Sequence, residues 1–146
     1  MPKLSTYSFL DMTGSINSPL LGSYIFTGQG AGSVTVTKTQ DRAAIDMAAD
    51  GSPMVSKIAG NHGSITIEVQ QTSDLHKWLL KWFAAHWAAP TRDWATTTVY
   101  MRNSSTGGGH IATGVIPQKE ADVPYQAEGQ RVTWTLLCAD IQNIPV

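Results

Sequence analysis

Hydrophobic and polar positions alternate with a period of two along most of the chain, the spacing of strands that bury one face. Ile65-Thr66-Ile67-Glu68-Val69-Gln70 shows it most plainly, and Val34-Thr35-Val36-Thr37 repeats it with branched apolar and hydroxyl residues. Residues 7–12, 97–101, 111–116 and 132–138 supply further expected strands. Turn residues separate them, at Asp50-Gly51, Asn61-His62-Gly63 and Gly107-Gly108-Gly109.

One segment changes period. From Ser73 to about residue 88, Leu75, Leu79, Trp82 and His86 fall on one helical stripe, which Trp78 and Phe83 widen. Ser73 is suited to cap the N-terminus, and Asp74 places a carboxylate in the first turn. Pro90 ends the helix and pushes Ala89 out of helical geometry. The apolar arc is broad enough to cover a sheet and also meet a second surface.

Residues 41–60 read as a β-hairpin. Ala44 to Ala49 and Met54 to Ala59 flank Asp50-Gly51-Ser52-Pro53, with the turn near Asp50-Gly51. A two-stranded arm is marginal alone and needs a partner surface. The pattern as a whole predicts a mainly β fold, with one flanking helix at about 73–88 and a projecting hairpin at about 41–60.

Composition sharpens this picture. The 146 residues suffice for one domain with one core, 1–146. The charged fraction is 14%, below the usual quarter, and Gly, Ser, Thr and Ala fill the gap. Such a surface suits a chain that covers itself with copies of itself. Net charge is −1, with no basic stripe for a phosphate backbone. No secretory h-region follows Met1-Pro2-Lys3, and no run approaches the ~20 apolar residues of a membrane span, so no membrane is expected. Cys138 is the single cysteine, set in an apolar alternating stretch that predicts a packing role.

No catalytic constellation emerges. Gly28 and Gly30 begin a dinucleotide-like fingerprint, but Ser33 takes the third glycine's place and a strand follows where a helix is required. Those glycines are read as a bend leading into a strand. No Gly-Lys-Ser/Thr or Gly-x-Ser-x-Gly motif occurs. His62, His76, His86 and His110 lack zinc-site spacing and are expected to be packed or solvated. Asp46 and Asp50 would stand roughly 13 Å apart on one strand face, too wide for a glycosidase pair. The helix aromatics are assigned to packing over base stacking, since basic residues are sparse among them. No catalytic, cofactor or metal residue is assigned.

The order of parts resembles the tail tube proteins of tailed bacteriophages, most of all those of contractile tails. Residues 7–16, the Gly28-Gln29-Gly30-Ala31-Gly32-Ser33 lead, Asp50-Gly51-Ser52 with residues 54–58, Gly63-Ser64-Ile65-Thr66-Ile67, and Gln71-Thr72-Ser73 before the helix carry the resemblance. It implies two antiparallel sheets packed as a sandwich or barrel beside the helix. It implies hexameric rings, joined through their sheets and stacked into a tube that conducts double-stranded DNA without binding it specifically. Sheath, tape measure, baseplate and tail terminator proteins are the implied partners. The implied location is the virion tail, assembled in the host bacterial cytoplasm. On this reading the hairpin makes the inter-ring contact, with Asp46, Asp50, Gly51, Ser52, Met54 and Lys57 as candidate residues. The helix lies at a subunit seam, with Trp78, Trp82 and Trp87 as candidates. Basic residues are expected to lie off the channel wall, because each would brake a sliding phosphate backbone. The competing readings are an inner-tube ring protein of a contractile injection machine (type VI secretion or tailocin) and a β-sandwich binding module.

Overall fold

The computed structural model describes residues 4–27, 31–103 and 107–144. Seven strands form one antiparallel sheet: β1 (Met12–Ser18), β2 (Gly22–Thr27), β3 (Ala31–Lys38), β6 (Gly63–Gln70), β7 (Thr97–Asn103), β8 (Gly109–Pro117) and β9 (Arg131–Ile144). Their order across the sheet is β2-β1-β7-β8-β9-β6-β3. Two further strands, β4 (Ala43–Met47) and β5 (Pro53–Lys57), pair only with each other. Among the described residues one α-helix, α1 (Asp74–Ala88), follows β6. The expected mainly β fold with one helix and a separate hairpin is present. Its layers come from one sheet curled over its own core.

The curl is visible in what meets across it. Val34 and Val36 on edge strand β3 line the same cleft of about 460 Å³ as Met12 and Met101, from the opposite half of the sheet. Irregular pairing at Ala31/Ser33 and at Thr97/Val99 adds local twist, the usual effect of a bulge. Inside lie Ile16, Ile65, Ile67, Val69, Val99, Val115, Trp134, Leu136 and Ile141, at alternate positions of their strands. Gly14 lets the Phe26 ring lie across β1: a Cβ there would stand 2.8 Å from Phe26 Cε1.

Two sequence expectations change. The first strand was expected at residues 7–12, but Phe9–Asp11 is a 3-10 turn and the strand begins at Met12. Ser8 Oγ accepts the Leu10 amide at 3.2 Å, a local bond that holds the chain out of the sheet at this point. Strand β2 went unforeseen because it is an edge strand, with Phe26 its one fully buried side chain. The Gly28–Gly30 lead and residues 104–106 of the 104–109 loop lie outside the described residues.

Helix α1 has the expected bounds and caps. Ser73 Oγ accepts the His76 amide at 3.2 Å, and the helix stops at Ala89, just before Pro90. It buries Leu75, His76, Leu79, Trp82 and His86 against the sheet. The spacing of these residues repeats the stripe read from the sequence.

Candidate functional site

Three surfaces of the chain are left incomplete by its own fold. The first is the hairpin. Ala43–Lys57, Ile45–Val55 and Met47–Pro53 pair across one face, and Ala44–Ser56 and Asp46–Met54 across the other. Ile45 is 68% exposed and Val55 71%, with Met47 and Met54 close behind. At the tip, Asp50 Oδ1 accepts the Ser52 amide at 3.0 Å, a bond that lowers the Asp50 pKa from its ordinary value. Gly51 supplies the positive φ (87°) that the turn requires. At the base, Arg42 Nε donates to the Ile58 carbonyl at 2.9 Å and the guanidinium also reaches Asn61, fixing where the arm leaves the body.

The named hairpin candidates are therefore spread over the arm. Asp46 and Met54 face one way, Lys57 the other, and Asp50, Gly51 and Ser52 form the tip. Sequence reasoning passed over Ile45, Met47 and Val55, which make the most continuous apolar face of the arm. Their alternation was legible, but the pairing that brings Ile45 beside Val55 was not.

The second surface is the outer side of α1. Trp87 is 72% exposed and stacks on Phe83 (6.3 Å between centroids), while Trp94 meets both rings edge-on. Trp78 is half-buried between Tyr24 and Trp82. Trp82 leaves the list of seam candidates. It is fully buried, with its indole N–H donated to Thr97 Oγ1 at 2.9 Å. Its place on the stripe with Leu75 and Leu79 puts it against the sheet. Trp94, beyond Pro90, was the missed member of the exposed aromatic corner.

The third surface is the pair of strand edges. β2 and β3 end the sheet and have no further strand beside them among the described residues. An open edge presents backbone donors and acceptors that another chain can pair.

Polar groups inside the body are arranged for support. His86 Nδ1 lies 3.1 Å from the Asp93 carbonyl, which can only accept, so this nitrogen carries the proton. On the neutral imidazole Nε2 is the acceptor, facing the hydroxyls of Ser18 at 2.7 Å and Thr97 at 3.1 Å. Ser18 Oγ in turn accepts the Leu20 and Leu21 amides. Ser18 is 4% exposed and His86 1%, so the pair is sealed from any substrate and ties α1 to the end of β1. Cys138 is buried as expected, and burial pushes its thiol pKa up to about 11. Among the described residues no helix is long and apolar enough to cross a membrane.

A curled antiparallel sheet with two open edges, a flanking helix and a separate hairpin carries these three surfaces. The chain belongs to the bacteriophage PhiTE tail tube protein family, whose sequence profile matches residues 4–145. It is a structural tube component of phage-like particles. No curated protein matches it by sequence. Solved structures share the fold at low identity. The tube-terminating cap of the anti-feeding prophage superposes with a TM-score of 0.61 at 9% identity, covering 100% of this chain and 95% of that one. A chain from the sheath–tube complex of an extracellular contractile injection system, PVC, in its extended state gives 0.60 at 10% identity, covering 97% and 93%. A chain from the anti-feeding prophage baseplate gives 0.55 at 12% identity, covering 100% and 97%.

Proposed function

We propose that this chain is the ring subunit of a phage inner tail tube. Hexameric rings join through their open strand edges and stack through the β4–β5 arm, and the finished tube conducts double-stranded DNA during ejection. A head-to-tail contact that closes makes a ring, and stacking then propagates it. Sheath, tape measure, baseplate and tail terminator proteins are its partners, and the tail is assembled in the host bacterial cytoplasm.

The observation that carries this reading is the arm. A two-stranded sheet is marginal in water by itself, and this one leaves Ile45, Met47, Met54 and Val55 at least 60% exposed. A second molecule is the surface that would cover them. The test is to replace Asp50 through Pro53 with a two-residue turn and examine purified protein by electron microscopy. Hollow tubes from the parent protein and isolated rings from the shortened variant are expected. Tubes of normal length and growth rate from the variant would refute the stacking role.

A second reading keeps the same fold in a contractile injection machine, and the likeness to the injection-system chains favours it. Neighbouring genes separate the two: capsid and portal genes accompany a phage tail.

A further inference from the structure

The sheet turns two chemically different surfaces outward. Across β2, β1, β7 and β8 the register aligns Ile25, Ser15, Tyr100 and Ile111 in one row. Ile25 is 70% exposed and Tyr100 and Ile111 39% each, so this side offers apolar contact. Across β3, β6 and β9 the corresponding row is Thr35, Thr66 and Thr135. Thr37–Ser64–Leu137 and Ser33–Glu68–Thr133 lie on either side of it. Leu137 is the apolar member of these rows, and Glu68 is held by Arg131 at 3.3 Å. Nearby, the Lys38 amine is turned onto the Ile141 carbonyl.

We propose that this hydroxyl surface of β3, β6 and β9 is the wall of the tube's channel, past which the transported polymer slides. The inference rests on the tube reading above. A passing polyanion is braked by lysine and by arginine side chains, each of which pairs with its phosphates. The rows of Thr and Ser offer neither. Their hydroxyls hold a layer of water that a hydrated polymer exchanges at little cost. The basic residues stand elsewhere or are engaged. Arg42 and Lys57 belong to the arm, Lys77 and Lys81 to α1, and Arg131 is paired with Glu68. Two features of the fold suit the position. Open edge β3 borders this surface, so a neighbour pairing there would continue the wall. The arm also springs directly from β3 and β6, at the margin of the same surface.

The test uses Thr133→Cys and Thr35→Cys, each alone in the otherwise unchanged chain, where buried Cys138 stays silent. Both sites are exposed in the isolated subunit. Dissociated protein and tubes are labelled with a small maleimide and with a maleimide carried on a globular protein wider than the bore seen in the same micrographs. Thiol labelling follows access, so the small reagent should label tubes within about twofold of dissociated protein, while the large one loses at least about tenfold. Labelling of tubes by both reagents would place the surface outside, and labelling by neither would place it in a subunit contact. Either result overturns the assignment and leaves the tube reading standing. Absence of hollow particles from the parent protein would instead remove both.

Discussion

Trp134 donates its indole N–H to Nδ1 of His76 across 3.0 Å, and this bond fixes the protonation of the imidazole. An indole can only donate, so His76 must accept at Nδ1 and carry its proton on Nε2. Burial also disfavours the cation and lowers the His76 pKa from its ordinary value. The unfolded chain therefore binds more protons than the folded one just below about pH 6.5. Stability is complete above that value and is lost as pH falls through it toward the lower folded pKa. The slope from this group is at most about 1.4 kcal/mol per pH unit. Urea unfolding between about pH 7.5 and about pH 5 should show it, and His76→Gln, which keeps an acceptor without a titration, should flatten it.

Trp82 and Trp87 lie little more than one turn apart on α1 and should behave oppositely. Trp82→Ala empties the core beneath the helix and removes the indole donor from Thr97 Oγ1, which keeps its contact to His86 Nε2, at a cost of about 3–5 kcal/mol. Trp87→Ala removes an exposed ring and should change subunit stability by less than about 1 kcal/mol. Chemical denaturation of the dissociated subunit measures both. If Trp87 lies at a seam between subunits, the same variant should raise the protein concentration needed for ring formation.

Gly14→Ala should destabilise the body by about 1–3 kcal/mol, because the new methyl group meets the Phe26 ring. Trimming that ring with Phe26→Leu should reduce the penalty of the second change. A double-mutant cycle on unfolding free energies would show the coupling as a favourable interaction term.

Ile45→Asp or Val55→Asp places a charge on the apolar face of the arm. Neither side chain belongs to the core cluster, so the melting temperature of the body should stay within about 2 °C. Tube growth, followed by light scattering and micrographs, should stop at rings. Asp46→Ala alters the other face of the arm and distinguishes the two sides: a stronger effect there would reassign the contact face.

Much of this architecture was legible because water enforces it locally. Alternation marked β6 and β9, and the Leu75-Leu79-Trp82-His86 stripe with Ser73 and Pro90 marked the helix and its limits. Asp50-Gly51 marked the turn of the arm. These signals are local: each depends on neighbours within one helical turn or one strand. The displaced first strand and the missed β2 failed for the complementary reason. Edge strands bury few side chains, and a single Ser8 hydroxyl outweighed the apparent alternation of residues 7–12.

By itself the sequence determined the mainly β character, the helix, the arm and the family to which the chain belongs. Tertiary structure decided how strands distant in sequence line up. That register set Ile45 beside Val55 and joined Thr35, Thr66 and Thr135 in one row. The physical reason is that alternation assigns a side chain to one face of its own strand, whereas the partner across the sheet depends on pairing between distant segments, which a local pattern does not encode.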